Sequence, residues 1–282
     1  MPHNPFLVTL GQRVRKRVLQ MAHSGQTPHV GSALSSVDLL VALYFASMQN
    51  DPKNPQALER DRFVLSKGHG CMAHYAVLAE CGYFPTEILS EYAQEGGRLA
   101  EHPSRQCVPG VEIATGSLGH GLPIAAGIAL AAKMRSRKHR VFTLISDGEC
   151  YEGSVWEAAT FASVNQLDNL VCIIDFNGWS ATSRTTKALE PLAVKWTAFG
   201  WGSVEIDGHS FVDIVSALSD IPAVSGRPTA VVARTVKGKG VPFMEDELEW
   251  HYRPPNSEDL RRALSEIETD NSTLGLGENS EP

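Results

Sequence analysis

The sequence predicts an α/β protein in which a parallel β-sheet is flanked by helices. Short apolar runs rich in β-branched residues alternate with helical segments along most of the 282 residues. Strand, helix, strand units of this size imply parallel crossovers, which bring the carboxyl ends of the strands to the same edge of the sheet. Hydrophobic residues make up 43% of the chain and charged residues 20%, a balance typical of a globular protein with a sizeable core.

The predicted elements follow one another along the chain. Residues 14–21 and 36–47 are expected to be helices, and the second is expected to begin at Ser35 or Ser36 with Asp38 in its first turn. The segment between them, rich in Gly, Ser and His, is a candidate site loop. Further strands are predicted at residues 62–66, 141–145, 169–175, 202–206 and 229–235, and further helices at residues 71–81, 122–133, 154–166, 192–199 and 211–218.

We expect a single domain over residues 1–267, because no internal repeat and no interior linker marks a second unit. The Ala-rich helix at residues 122–133 is expected to be buried on most of its sides. From residue 268 the sequence becomes acidic and loses its periodicity. Residues 268–282 are therefore predicted to form a disordered tail.

Composition argues against several classes of protein. The net charge of −7 disfavours a protein that binds duplex nucleic acid, and the basic cluster at residues 13–17 is interpreted as a solvated helix face. Five cysteines without C-x-x-C spacing indicate neither a disulfide framework nor a structural zinc site. The N-terminus lacks the features of a signal peptide and no apolar run reaches transmembrane length, so a cytoplasmic location is expected.

Polar residues follow two neighbouring predicted strands, at the edge where parallel sheets bind ligands. Asp147 and Gly148 come after the strand at 141–145, and Asn177 follows the strand at 169–175. A carboxylate and an amide oxygen suit Mg²⁺, which takes one or two protein ligands together with phosphate oxygens and water. Gly148 allows close backbone approach, and the following helix directs N–H groups at an anion. The pattern is typical of a metal-bridged diphosphate site; a helix cap and an ordinary turn are the alternative.

Six collinear blocks of the sequence resemble transketolases, and in particular their separately encoded N-terminal subunits. The blocks are DRFVLSKGHG (61–70), GVEIATGSLGHGLPIAAGIALA (110–131), SDGECYEGSVWEA (146–158), EPLAVKWTAFGW (190–201), EIDGH (205–209) and TVKGKG (235–240). The resemblance extends along nearly the whole chain. It implies the diphosphate-binding domain of a thiamine diphosphate-dependent enzyme.

The resemblance implies roles at the diphosphate end of the cofactor. Asp147 and Asn177 match ligands of Mg²⁺, for which Ca²⁺ or Mn²⁺ can substitute, and the backbone carbonyl of Trp179 matches a third ligand. Gly148 matches a diphosphate-binding position. Glu152 matches an acidic residue at the dimer interface that links two cofactor sites.

Further matched residues surround the reactive ring and the donor sugar. The residues that line the cofactor are His69, Gly116 and Leu118. The catalytic histidines, which contact or assist at the donor's first two carbons, are His29, His102 and His251. Imidazole suits proton transfer because its usual pKa of about 6.5 allows both donation and acceptance near neutral pH.

The sequence departs from the family pattern at three places. QTPHVGSALS stands where the family has GHPGGSLS, and His29 is aligned with the family histidine. Ser146 replaces the first glycine of the GDG-like motif. Residues 178–187 differ from the family segment that lies over the cofactor, which indicates an unusual substrate.

The family reaction transfers a two-carbon ketol unit from a ketose donor, expected to be phosphorylated, to an aldehyde acceptor. Thiamine diphosphate performs the carbanion chemistry, while protein groups orient it and move protons. The family also requires a pyrimidine-binding domain, for which this sequence has no room. A separate pyrimidine-binding, C-terminal subunit is therefore expected as the partner, in an α₂β₂ assembly.

Two other functions stay open from the residues alone. The chain could serve an acyloin synthase or a decarboxylating 2-oxo acid enzyme with the same cofactor. It could also be a non-catalytic subunit that has kept the fold, although the retained Asp147, Asn177, His69 and Glu152 count against this.

Overall fold

The computed structural model describes residues 4–273, and this part of the chain contains a fully parallel, five-stranded sheet. The strand order is β1-β2-β3-β5-β4. The strands are β1 Arg62–Leu65, β2 Val141–Ser146, β3 Leu170–Phe176, β4 Gly202–Asp207 and β5 Thr229–Arg234. Each lies where the sequence predicts a strand, and the parallel sheet confirms the predicted fold class.

Helices connect the strands and cover both faces of the sheet. They are α1 Pro5–Gly25, α2 Val30–Ser35, α3 Val37–Ala42, α4 Cys71–Glu80, α5 Gly121–Met134, α6 Gly153–Val164, α7 Thr186–Leu189, α8 Leu192–Ala198, α9 Phe211–Ser219 and α10 Ser257–Thr273. The residues between α4 and α5 form turns and a short 3₁₀ helix, Thr86–Glu91.

Two apolar cores form because alternate residues of a strand point to opposite faces of the sheet. On β2, Phe142 and Leu144 pack into the core that includes α1, α3, α4, α9 and α10. Val141 and Ile145 pack into the core that includes α5, α6 and α8. β2 and β3 are buried along their whole length, as expected for strands covered on both faces.

The strand register places polar strand ends side by side. Ser146 pairs with Asp175 across β2 and β3, and Phe176 pairs with Arg234 across β3 and β5. The main-chain N–H of Asp147 donates to the carbonyl oxygen of Asp175 at 3.2 Å. The segments that follow these strands therefore leave the sheet together at one edge.

The N-terminal region is more helical than the sequence predicts. α1 is longer than expected and α2 begins directly after His29, so the candidate site loop is reduced to a short turn. The predicted helix at residues 36–47 is divided into α3 and a π-helical turn, Leu43–Ser47. Ser36 makes no side-chain cap: its hydroxyl donates back to the carbonyl of Ala33 at 2.9 Å, because α2 runs almost directly into α3.

The prediction that the Ala-rich helix α5 is buried on most sides is wrong for this chain. Leu122 and Ala129 face the core, but Ile124 is 39% exposed and Met134 is 78% exposed. On the neighbouring α6, Phe161 is 44% exposed. The apolar composition of α5 therefore reflects an apolar outer surface as well as a buried one.

The C-terminal helix continues past the predicted start of the tail. α10 includes residues 268–273, for which the sequence predicts disorder. Its charged residues support the helix through pairs such as Arg262 and Glu266, four positions apart. The rest of the predicted tail, residues 274–282, lies outside the described residues. Within residues 4–273, no helix has both the length and the apolar character that a membrane crossing requires.

The basic cluster of α1 forms ion pairs with other elements. Arg13 and Arg17 both pair with Glu80 of α4. Arg15 is buried and donates to Asp38 of α3 at 2.6 Å. Only part of the cluster is therefore the solvated helix face that the sequence predicts.

His74 of α4 is buried beside the sheet. Its Nε2 lies 2.8 Å from the hydroxyl of Tyr44, and its ring centroid lies 4.9 Å from that of Phe63. Burial lowers the pKa of His74 from 6.5 to about 3. The folded protein therefore holds this imidazole neutral under conditions in which the unfolded chain protonates it.

We expect His74 to make the protein less stable in mild acid. Between a pKa of 6.5 in the unfolded chain and about 3 in the folded protein, the unfolded state binds more protons, so the free energy of unfolding falls as the pH falls. Linkage gives a loss of about 2 kcal/mol from this residue between about pH 7 and pH 5. Urea denaturation at both pH values checks this. From pH 7 to pH 5 the free energy of unfolding should fall by about 2 kcal/mol less in His74→Gln than in wild type. Equal losses would contradict the expectation.

Candidate active site

A cavity of about 510 Å³ opens at the carboxyl edge of the sheet. It is lined by segments that follow β1, β2 and β3, together with the residues before α2 and α5 and the turn at residue 251. The predicted site residues that line it are His29, His69, His102, Gly116, Leu118, Gly148, Glu152, Asn177, Trp179 and His251. Asp147 is fully buried, directly before the cavity-lining Gly148.

Asp147 receives its hydrogen bonds from neutral donors. One carboxylate oxygen accepts from the main-chain N–H of Gly178 at 2.9 Å and from the hydroxyl of Thr185. The other oxygen accepts from the N–H of Gly148 at 3.0 Å. Burial raises the pKa of Asp147 to about 6, although the hydrogen bond from Thr185 opposes the shift. A nearby cation would stabilise the charged form of such a carboxylate.

Asn177 lies next to this carboxylate, at the end of the neighbouring strand. Its side-chain nitrogen donates to the hydroxyl of Ser35 at 3.3 Å, and its side-chain oxygen accepts from the N–H of Trp179 at 3.1 Å. A Cβ atom on Gly148 would lie 3.3 Å from the Cα of Ser180 and 3.8 Å from the carbonyl oxygen of Trp179. The glycine therefore allows the segment after β3 to pass close to the segment after β2.

Four histidines from distant parts of the chain meet in the cavity. The ring centroid of His29 lies 4.8 Å from that of His251, 5.3 Å from that of His69 and 6.4 Å from that of His102. The main-chain N–H of His29 also donates to the carbonyl oxygen of His251 at 3.0 Å. His29 has φ of 73°, a conformation uncommon outside glycine, and it turns the chain into α2.

Three of these histidines are neutral at pH 7. Burial lowers the pKa of His29 to about 4 and that of His251 to about 3, and the ammonium of Lys237 adds to both shifts. Burial also lowers the pKa of His69 well below its usual value. A neutral imidazole donates from one nitrogen and accepts at the other. These three imidazoles can therefore bind hydroxyl and carbonyl oxygens without carrying charge.

A buried ion pair joins the ends of β1 and β3 beside the cavity. Lys67 donates to the carboxylate of Asp175, and both side chains are fully buried. The carboxylate also accepts from the hydroxyls of Ser35, at 2.6 Å, and Thr235, and Lys67 donates to the carbonyl of Ser32 at 2.8 Å. Burial acts to raise the pKa of Asp175, but the ammonium and the hydroxyl donors hold it below its usual value.

Glu149 fixes the loop that carries Gly116. Its buried carboxylate accepts from the hydroxyl of Ser66 and, at 2.8 Å, from the main-chain N–H of Gly119. A Cβ atom on Gly116 would lie 3.2 Å from the ring of His102, so the absence of a side chain there leaves room for the imidazole. Glu149 thus connects the end of β1 to the part of the loop that lines the cavity.

The segment after β3 forms a small hairpin over the cavity. Trp179 and Arg184 make an isolated antiparallel bridge, and the guanidinium lies 3.7 Å from the indole centroid. Asp246 accepts from the indole N–H at 2.8 Å and from the guanidinium at 2.6 Å. Residues 180–183 line the cavity and carry three hydroxyl groups. The segment that departs from the family pattern therefore folds into a polar cover over the cavity.

Reasoning from the sequence missed the charged residues that support the site. They are Lys67, Glu149, Asp175 and Lys237. Three of the four have a signal in the sequence: NLVCIID ends an apolar strand with an acid, and SKGHG and TVKGKG place a lysine two or three positions after the end of a strand. Buried charges need partners, and a partner on another strand cannot be identified without the fold.

The residues present fit thiamine diphosphate and a divalent cation. The buried carboxylate of Asp147, the amide oxygen of Asn177 and the carbonyl of Trp179 are hard oxygen donors of the kind that Mg²⁺ prefers. Gly148 lines the same cavity, directly after Asp147. The neutral histidines supply hydrogen-bond donors and acceptors for a polar substrate in the same cavity.

Comparisons with known proteins identify the family of this chain. Residues 10–274 match the family described as transketolase, thiamine diphosphate binding domain. The chain is 42% identical over 255 residues to one of the subunits of apulose-4-phosphate transketolase from Actinobacillus succinogenes, a match that covers 90% of this chain and 92% of that protein. It is also 42% identical over 257 residues to 6-deoxy-6-sulfo-D-fructose transketolase subunit SqwG of a Clostridium species. That match covers 90% of this chain and 94% of the Clostridium protein.

The fold also matches a solved structure. Transketolase from Leishmania mexicana superposes with a TM-score of 0.87 at 29% sequence identity, over 93% of this chain and 41% of that one. The chain therefore matches less than half of this long transketolase, but almost the full length of relatives named as subunits. On these grounds the chain belongs to the transketolase family of thiamine diphosphate-binding transferases.

Proposed function

We propose that this chain is the diphosphate-binding subunit of a two-subunit transketolase, which transfers a two-carbon ketol unit from a ketose donor to an aldehyde acceptor. The observation that carries the proposal is the composition of one cavity. Asn177 and Trp179, beside the buried Asp147, contribute oxygen donors to it, and His29 and His251 contribute stacked, neutral imidazoles. The first group suits a metal-bridged diphosphate and the second suits the hydroxyls of a sugar.

The metal in this proposal is Mg²⁺, for which Ca²⁺ or Mn²⁺ can substitute. Asp147 would hold it through its carboxylate, Asn177 through its side-chain oxygen and Trp179 through its carbonyl. The neutral hydrogen-bond donors around Asp147 support this, because they leave the negative charge to be balanced by a cation. Diphosphate oxygens and water would complete the coordination.

The four histidines divide three tasks in the proposed reaction. Bound thiamine diphosphate supplies the carbanion chemistry. His29 and His251 hold the oxygens on the donor's first two carbons, and His102, at the exposed rim, moves a proton at the same carbons. His69 and the Gly116 loop keep the cofactor in position.

The donor we infer is a ketose with an anionic group, most simply a phosphate. The relatives are named for apulose 4-phosphate and for 6-deoxy-6-sulfo-D-fructose, sugars that differ in the anionic group. The hydroxyls of residues 180–183 add hydrogen-bonding groups to the cavity wall. These hydroxyls favour a donor with several hydroxyl groups over the less hydroxylated substrates of an acyloin synthase or a 2-oxo acid enzyme.

The partner we propose is a separate pyrimidine-binding, C-terminal subunit, assembled with this chain as α₂β₂. The share of the Leishmania transketolase that this chain leaves unmatched supports it. So does the apolar outer surface of α5 and α6, where Ile124, Phe161 and Val164 are exposed. Tyr151 and Glu152 precede α6 and line the cavity, so this surface reaches the rim of the site.

Replacing Asp147 with alanine should weaken cofactor binding. The change removes a proposed metal ligand, so the affinity for thiamine diphosphate with Mg²⁺ should fall by at least about tenfold. Isothermal titration calorimetry of the complex with its partner measures this affinity. Asp168→Ala is a matched control, because Asp168 pairs with Lys133 before β3 begins, at the opposite edge of the sheet. Wild-type affinity in Asp147→Ala would remove Asp147 as a ligand.

The isolated chain should not transfer a ketol unit, because the pyrimidine-binding half of the site belongs to the partner. A coupled assay with xylulose 5-phosphate, thiamine diphosphate and Mg²⁺ compares the chain alone with the chain and its partner. Only the complex should convert the ketose donor. Turnover by the purified chain alone would disprove the two-subunit proposal.

A charge on the outer surface of α5 or α6 should weaken assembly. We expect Ile124→Glu and Phe161→Glu each to weaken association with the partner by at least about tenfold, because an apolar interface residue becomes a buried charge. Sedimentation velocity with the purified partner reports the change. Val212→Glu, at a 44% exposed position on α9, is the control and should assemble normally. Normal assembly of both α5 and α6 variants would place the interface elsewhere.

A further inference from the structure

We propose that Lys237 is a positioning residue that fixes the ring tautomer of His251, so that His251 presents an N–H group to the substrate. Lys237 lies after β5 and does not line the cavity, whereas His251 does. The lysine acts through the histidine, on the side of the ring that faces away from the ligand.

The direction of the hydrogen bond follows from the chemistry of the two groups. The Nζ of Lys237 lies 3.0 Å from Nδ1 of His251, and the lysine is 1% exposed. Burial lowers the pKa of Lys237 to about 8, which still leaves an ammonium at neutral pH. An ammonium has three donors and no acceptor, so Nδ1 must accept. Because His251 is neutral, its single ring proton lies on Nε2.

Neighbouring contacts hold Lys237 in this position. The N–H of Val236 donates to Nε2 of His209 at 2.8 Å, and the N–H of Gly238 donates to the carbonyl of Gly31 at 2.9 Å. A Cβ atom on Gly31 would lie only 3.1 Å from Cγ of the lysine. The lysine stem is therefore packed against the first turn of α2, and hydrogen bonds of the main chain hold the residues on either side of it.

The tautomer decides what His251 can do. With Nδ1 occupied by the lysine, Nε2–H is the ring group left for a ligand in the cavity. An N–H group that points at an oxygen of the ketose stabilises negative charge that develops on that oxygen, whereas a nitrogen lone pair would repel the charge. The identity of that oxygen rests on the proposed function, but the position of the ring proton does not.

The test reads the ring proton directly. The complex with the partner is prepared with ¹⁵N-labelled histidine. Two-bond ¹H–¹⁵N spectra distinguish the protonated ring nitrogen from the unprotonated one. The signals that are missing from the His251→Gln spectrum are those of His251. Wild type should show Nε2 protonated. Lys237→Gln keeps a donor near Nδ1 and should retain this pattern, whereas Lys237→Met should shift His251 toward the Nδ1–H form. kcat/KM should fall by about a hundredfold in Lys237→Met and recover in large part in Lys237→Gln.

Protonation of Nδ1 in the wild-type protein would overturn the proposal, and this result does not depend on whether a variant folds. An unchanged Nε2–H pattern in Lys237→Met would also overturn it, because another group would then fix the ring. A complex with the expected ring pattern but no ketol transfer would support the tautomer and contradict the proposed function, so the two failures are distinguishable.

Discussion

The ion pair between Lys67 and Asp175 is the contact on which the geometry of the site depends. It is fully buried, and it connects the ends of β1 and β3 with α2 and with the segment after β5. A buried charge that loses its partner costs several kcal/mol, so these segments have little freedom to move apart. Three residues of this network lie close in sequence to residues that form or support the site. Lys67 lies two positions before His69, Asp175 two before Asn177, and Thr235 two before Lys237.

Charge is distributed unevenly around the cavity. On one side the charge of Asp147 is surrounded by neutral donors and remains available to a cation. On the other side, burial of the imidazoles, with a smaller contribution from the ammonium groups of Lys67 and Lys237, lowers the pKa values of His29, His69 and His251 and keeps these rings neutral. A single pocket can in this way offer charge to a metal and uncharged hydrogen-bonding groups to a sugar.

The sequence is informative wherever a function depends on strand order. Asp147 and Asn177 can be identified because each follows an apolar strand, and parallel strands end at one edge. The histidines can be identified only by resemblance, since His29, His69, His102 and His251 lie far apart in the chain and no local pattern connects them. The structure brings all four together.

Other features could not be predicted because they depend on tertiary partners. α2 lies where the sequence predicts a loop, since burial against the site overrides the Gly and Ser content of that segment. The lysines and acids behind the cavity are ordinary charged residues until the fold pairs them. The exposed apolar residues of α5 could not be distinguished from core residues, because composition does not show which sides of a helix other elements cover.

The most direct measurement compares a single and a double variant of the buried pair by the affinity of the partner-bound chain for thiamine diphosphate with Mg²⁺. Lys67→Met leaves a buried carboxylate unpaired, whereas Lys67→Met combined with Asp175→Asn removes both charges and keeps the shape of the acid. We expect the single variant to bind the cofactor at least about tenfold more weakly and the double variant to recover part of that loss. Wild-type affinity in the folded Lys67→Met variant would show that the pair does not set the geometry of the site.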